Sequence, residues 1–300
     1  MEKPHLISAI GTPLDESESL HVEGLAAHLA DQWEHGIDGV LIAGTMGLMP
    51  LLSDQTYQDL VRRGVEFSAG RGEILVGAGD CSFARTKARI QYLNEFKIDG
   101  AVVLTPHFVR FSQAELLAYY RALADVSRAP LYLYDLPQRT GCKIELATAL
   151  ELSKHPNIRG IKCSDEPGYA REIIDALGPR FRVVIAQPVL MDAFLRFGIM
   201  EHLDGMYAIA PQWAAGIALE ATRENWIAAA THQRLLNRLR GLAVTYGVFQ
   251  MMTAVLNARH IPGNFAPLPY QPLGSASREA LLADPTIRSL LAHQVSSPAA

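Results

Sequence analysis

Two hydrophobic periods alternate along the chain. Short apolar runs, the pattern of strands buried in a parallel sheet, recur at residues 6–10, 39–43, 74–77, 100–104, 131–134, 160–162, 183–186 and 205–209. Between them, apolar positions fall at helical spacing over 20–35, 54–69, 84–96, 113–126, 144–154, 169–177 and 191–197. Helix starts carry capping residues, as in Ser53-Asp54 and in Ser112-Gln113-Ala114-Glu115, which has the form of a capping box. Beyond Arg223 the strand period disappears. Long helices are predicted over 226–240 and 242–256, then a Pro-rich connection with Phe265, Leu268, Tyr270 and Leu273 laid along the domain surface, then a last helix from Ser277.

About eight strands alternating with helices is the pattern of a (β/α)8 barrel. We therefore expect an α/β fold, a TIM barrel over 1–222 with a C-terminal helical extension, 223–300, packed on it. A doubly wound open sheet shares the same period. It is disfavoured because the turn after the first strand is Gly11-Thr12-Pro13-Leu14 and not a Gly-x-Gly-x-x-Gly loop.

Composition narrows the function. With 49% hydrophobic and 19% charged residues, 300 residues can bury a large core. A net charge of −4 without basic clusters argues against a nucleic-acid partner. No apolar run approaches the roughly 18–20 residues of a membrane span, and the start, Met1-Glu2-Lys3-Pro4-His5, lacks signal-peptide character. Three widely spaced cysteines, Cys81, Cys142 and Cys163, read as reduced thiols of a cytoplasmic protein. Ten scattered histidines with no His-Glu-x-x-His or Cys-x-x-Cys give no metal site, and no cofactor is expected.

In a barrel the chemistry gathers at the strand ends. These carry Thr45, Thr105, Tyr134, Lys162 and Gln187, with Tyr207 in the last predicted strand. Lys162 ends the run Asn157-Ile158-Arg159-Gly160-Ile161-Lys162. A lysine there carries its amine toward a site shut off from water, where burial favours the uncharged form, a nucleophile toward a carbonyl carbon. The alternative is a lysine that snorkels to the rim or pairs with Asp165. Tyr134, one strand away, would supply a phenol to shuttle the proton during imine formation and C–C cleavage; alternatively it is a buried aromatic satisfied locally. The loop Gly44-Thr45-Met46-Gly47 lets backbone N–H groups approach an anion such as a carboxylate.

These segments, with Ser8-Ala9-Ile10-Gly11-Thr12-Pro13-Leu14, Thr105-Pro106-His107-Phe108 and Tyr134-Asp135-Leu136-Pro137-Gln138-Arg139-Thr140-Gly141, resemble the dihydrodipicolinate synthase / N-acetylneuraminate lyase family of pyruvate-dependent class I aldolases along nearly the whole chain. The resemblance implies a homo-oligomeric barrel, usually tetrameric. It implies that Lys162 forms a Schiff base with a 2-oxo acid and that Tyr134 shuttles the proton. Thr45, Gly44 and the amides near Met46 would hold the carboxylate, and Tyr207 would offer its backbone near the reacting carbon. Arg139 would meet the carboxylate of the second substrate; Gln187, after the seventh strand, is a further candidate for substrate contact from its position alone.

Several positions depart from the family pattern. Met46 and Leu48 stand where the loop has a second hydroxyl residue and an acid. Phe108 stands where the synthases carry a tyrosine that completes a proton relay across the dimer interface. Gln187-Pro188 replaces Ser-Gly-Asp or similar. The expectation is a Schiff-base lyase cleaving a 2-oxo acid to pyruvate and an aldehyde, and not an efficient dihydrodipicolinate synthase. A dehydratase of a deoxy-oxo-sugar acid is the second reading. A non-catalytic barrel that binds a small acid is the third, and it leaves a costly buried amine unexplained.

Overall fold

The computed structural model describes residues 2–292. Eight parallel strands close into a barrel in sequence order: β1 His5–Ala9, β2 Gly39–Ile42, β3 Glu73–Gly77, β4 Gly100–Leu104, β5 Leu131–Asp135, β6 Ile158–Cys163, β7 Arg182–Ile185 and β8 Glu201–Asp204. Helices fill the crossovers, among them Val22–Glu34, Asp54–Ser68, Phe83–Leu93 and Gln113–Val126. Ser53, Ser82 and Ser112 cap their helices through side-chain oxygens, and Ser112 with Glu115 completes the capping box.

Alternate residues of each strand share the barrel interior. Toward the N-terminal end, Arg182 binds Glu73 and Glu201, while His5 Nε2 meets Glu73 Oε2 at 2.8 Å. In the middle, the Tyr132 ring occupies space that side chains at Gly100 and Gly160 would close off: a Cβ would sit 2.5 Å from the ring at Gly100 and 2.9 Å at Gly160. At the C-terminal end, Ala9, Leu41, Tyr134, Lys162 and Ala186 open onto a cavity.

The last strand differs from the expectation. The segment 205–209 is not a strand; Gly205–Ile209 is a helical turn, and β8 is the more polar Glu-His-Leu-Asp before it, paired with β1 from His5↔Glu201 to Ser8↔Asp204. The polar side chains of β8 each find a partner, although His202 Nδ1 has none. Glu201 receives Arg182, His202 bonds the Ile199 carbonyl at 2.9 Å, and Asp204 caps the turn by accepting the Met206 amide at 2.8 Å. A further helix, Pro211–Thr222, follows; its small, apolar sequence gives no stripe by which to see it.

The C-terminal helices Trp226–Tyr246, Val248–Ala258, Ser275–Ala283 and Pro285–Ala292 share one apolar cluster with Leu6, Ile37, Met206, Tyr207, Ile209 and Ala210. Arg259 fixes their position. Its guanidinium binds Asp31 at 2.6 and 3.0 Å and the Ile209 carbonyl at 2.9 Å. Phe265, from the Pro-rich segment, is fully buried edge-on to His28. No single helix among the described residues is long and apolar enough to cross a membrane.

Candidate active site

The cavity at the C-terminal ends of the strands has a volume of about 650 Å³ and is the place where this fold gathers chemistry. Register brings its main residues together. Tyr134 pairs directly with Lys162 across β5 and β6, so both side chains leave the sheet on the same side. Lys162 is 5% exposed; its Nζ lies 3.6 Å from the centre of the Tyr134 ring and donates to Ser164 Oγ at 3.1 Å. Tyr134 OH and Thr45 Oγ1 share a hydrogen bond of 3.2 Å. The chain Thr45–Tyr134–Lys162 thus runs from the β2 loop to the amine.

Lys162 does not pair with Asp165. That carboxylate takes Lys143 at 2.7 Å and Gln138 Nε2 at 3.0 Å, and its backbone carbonyl accepts Gln187 Nε2. Lys143 also reaches Asp135, whose burial raises its carboxyl pKa although the Ile144 amide and Lys143 oppose the rise. Asp165 therefore ties together the loops after β5, β6 and β7. The lysine most able to neutralise it is Lys143, which leaves Lys162 facing the cavity.

The β2 loop bends sharply, with positive φ at Ala43 (52°) and Leu48 (63°). Among the described residues, the amides of Thr45 and Met46 have no hydrogen-bond partner, which leaves them available to an anion. Gly44 is buried and does not line the cavity; a Cβ there would sit 2.8 Å from Leu41, so its smallness serves packing. Met46 lies against Gly205, just after β8, where a Cβ would come within 2.2 Å of its Cγ.

Arg139 and Gln187 line the cavity, Arg139 exposed at its mouth. Tyr207 is not in the wall. It is fully buried in the cluster shared with the C-terminal helices, because the chain there is a helical turn and not a strand; the last residue of β8, Asp204, and the first two of the turn, Gly205 and Met206, line the cavity instead. Neither His107 nor Phe108 lines the cavity; Phe108 is 94% exposed at φ 83°. Four polar lining residues had not been singled out: Gln138, Ser164, Asp204 and Arg240. Ser164 follows Lys162 by two positions and was readable. Arg240 comes from the helix Trp226–Tyr246, and no strand-end argument reaches it.

The comparisons with known proteins agree with this fold. The model of the Dihydrodipicolinate synthetase family matches residues 3–286. The 4-hydroxy-tetrahydrodipicolinate synthase of Stenotrophomonas maltophilia is 34% identical over 229 residues, 74% of this chain and 77% of that protein. Two solved structures share the fold. Proteus mirabilis N-acetylneuraminate lyase superposes with a TM-score of 0.89 at 19% identity, over 96% of this chain and 99% of its own. A prophage protein of the dihydrodipicolinic acid synthase family from E. coli K12, in complex with pyruvate, gives 0.88 at 22%, over 96% and 98%. With the matching barrel and a match over nearly its whole length, the chain belongs to the dihydrodipicolinate synthetase family.

Proposed function

We propose that this family member, a Schiff-base-forming lyase of the aldolase type, cleaves a 2-oxo acid reversibly to pyruvate and an aldehyde. One observation carries the residue assignment: the Lys162 amine faces the cavity beside a phenol that is itself bonded to Thr45. The amine attacks the keto carbon and loses a proton to the former carbonyl oxygen. Tyr134 donates a proton as that oxygen leaves as water, and an imine remains. Tyr134, oriented by Thr45, then takes the proton of the hydroxyl on the carbon that becomes the aldehyde. The imine accepts the electrons of the breaking C–C bond. Thr45 and the free amides of Thr45 and Met46 receive the substrate carboxylate.

Arg139 and Gln187 face the departing aldehyde. Arg139 and Arg240 make no ion pair among the described residues, so the mouth carries positive charge suited to an anionic substrate. The chemistry draws its electrophile from an imine and needs no metal. We assign residues 1–222 to the catalytic barrel and 223–300 to an extension that contributes Arg240 to the mouth, and we place the protein in the cytoplasm.

We also propose a homo-oligomer, a dimer or tetramer. Phe108, Val109 and Leu51 stand exposed on βα loops and Phe83 at the start of the helix Phe83–Leu93, and Phe108 holds a backbone conformation unfavourable for a bulky side chain. The test of the activity is borohydride reduction in the presence of pyruvate, read by intact mass and peptide mapping. A reduced pyruvyl adduct on Lys162, absent in Lys162→Ala, is expected. An adduct undiminished in that variant ends the Schiff-base assignment.

A further inference from the structure

Addition of the Lys162 amine to a ketone contains a proton transfer that Tyr134 is badly placed to make. When Nζ adds to the keto carbon, the nitrogen keeps a surplus proton and the oxygen takes a negative charge. Direct transfer between the two closes a strained small ring, so a third group has to carry the proton. Nζ sits over the face of the Tyr134 ring, 3.6 Å from its centre, and the Tyr134 hydroxyl is bonded to Thr45 at 3.2 Å. No hydrogen bond among the described residues joins that hydroxyl to Nζ. Asp165 is taken by Lys143 and Gln138, and Gln187 by the Asp165 carbonyl.

Ser164 is the group that touches the amine. The hydrogen bonding of β5 with β6 runs one residue past the end of β6, the Ser164 amide donating to the Asp135 carbonyl at 2.9 Å. Alternation along the backbone therefore puts Ser164, two positions after Lys162, on the same side of the sheet, toward the cavity that both residues line. Lys162 Nζ donates to Ser164 Oγ at 3.1 Å, the one hydrogen bond that Nζ makes among the described residues. Oγ has no other partner among them, so its own O–H is free to turn into the cavity. Ser164 thus accepts from the nitrogen and has a proton to give.

We propose that Ser164 is a catalytic residue, the relay that carries the Nζ proton to the former carbonyl oxygen as the carbinolamine forms. The proposal rests on the Schiff-base reading. The Nζ lone pair forms the bond to C2, and the C=O π electrons move to oxygen. Oγ takes a proton from Nζ while its own proton passes to that oxygen, and the serine ends as it began. The product is a neutral carbinolamine, whose hydroxyl then leaves as water with the proton from Tyr134. Hydrolysis of the imine at the end of turnover runs the same relay backwards.

The experiment follows imine formation in time. Protein and pyruvate are mixed and reduced with borohydride at set intervals, and the adduct on Lys162 is read by intact mass. Ser164→Val and Ser164→Thr share one shape and differ in the hydroxyl; Ser164→Ala lacks the hydroxyl without adding bulk. In Ser164→Val and Ser164→Ala the adduct is expected to appear about 10²-fold more slowly or worse, the lower end for a positioned acid–base group, and in Ser164→Thr within about tenfold of the parent rate. The final amount of adduct should match the parent's in all three, because a relay changes the rate of an equilibrium and not its position. A merely structural role would lower the final amount and would not follow the hydroxyl. Slowing of less than about tenfold in Ser164→Val and Ser164→Ala overturns the relay and leaves the lyase reading standing. So does a Ser164→Thr protein as slow as Ser164→Val, or a final amount that falls in step with the rate. A parent protein that forms no adduct removes both.

Discussion

The charged layer at the N-terminal end of the barrel makes a quantitative prediction about stability. Glu73 sits among His5, Arg182 and Glu201, the first residues of four strands, with its side chain 14% exposed. Burial alone would raise its pKa. Hydrogen bonds from His5 and Arg182, and the Arg182 charge, override burial and hold it at about 2, against an ordinary 4.5. The difference, about 2.5 units at 1.36 kcal/mol each, corresponds to about 3 kcal/mol of stability. Because the folded pKa is the lower one, this stability is complete above about pH 4.5 and is lost as pH falls through about 2. His5 has the opposite sign. Its pKa is raised, chiefly by the Glu73 hydrogen bond, so its contribution is complete below 6.5 and fades as pH rises through the folded value. Both are present together between about pH 4.5 and 6.5.

Glu73→Gln removes the titrating group and keeps the shape. At pH 7 it should lower stability by about 3 kcal/mol, roughly 5 °C in Tm for a chain of this length. The gap should shrink to less than half by about pH 3. Urea unfolding of both proteins at pH 7, 5 and 3 measures it. Because this layer lies at the end of the barrel remote from Lys162, pyruvyl adduct formation per folded molecule should be unchanged at 25 °C. A gap below about 0.5 kcal/mol at pH 7, the scale of an ordinary surface change, would refute the reasoning, as would one constant down to pH 3.

Other outcomes follow from the same structure. Tyr134→Phe loses the bond to Thr45 and the transferable proton, and turnover should fall by about 10²–10⁴ with the melting temperature retained. Near-normal turnover would mean that another group carries that proton. Arg259→Ala strands the half-buried Asp31 and the Ile209 carbonyl, and a loss of about 3–5 kcal/mol is expected in chemical denaturation. A loss under about 1 kcal/mol would show that apolar packing alone holds the extension.

Most of the architecture was legible because period 2 and period 3.6 separate cleanly where strands are wholly buried and helices half-buried. Residues 100–104 and 113–126 are read to the residue. The failures have physical causes. β8 reads as polar, since its carboxylates and histidine find partners that lie far off in sequence or behind a turn, whereas 205–209 is apolar because it packs under the C-terminal helices. The site was legible as far as strand ends could be counted, which gave Lys162, Tyr134 and Thr45. Asp204 was hidden by the misplaced strand, and Arg240 by its distance along the chain. Tyr207 had been placed in that same misread strand.

The departures at Met46 and Phe108 bear on which aldehyde is used. In the relay expected of a synthase, hydroxyls pass the proton from the pocket to solvent. Here Thr45 and Tyr134 keep their bond, but the next positions are a thioether packed against Gly205 and a phenyl ring that stands outside the cavity. Neither exchanges protons. The cavity wall beyond Arg139 is apolar, through Val189, Ala243, Val244 and Val248, so the outer half favours an aldehyde with an apolar body as well as an anionic group. Arg139 alone could still hold the carboxylate of aspartate semialdehyde. A carboxylate clamp assists binding, however, whereas proton transfer is required at every turnover. In a coupled assay with pyruvate and aspartate semialdehyde we therefore expect kcat/KM well below about 10⁴ M⁻¹s⁻¹, the lower end of ordinary enzymes. A value at or above it would show that water or another group replaces the missing hydroxyls, and Met46→Thr should then leave the rate unchanged. If the relay argument holds, Met46→Thr should raise the rate with this aldehyde.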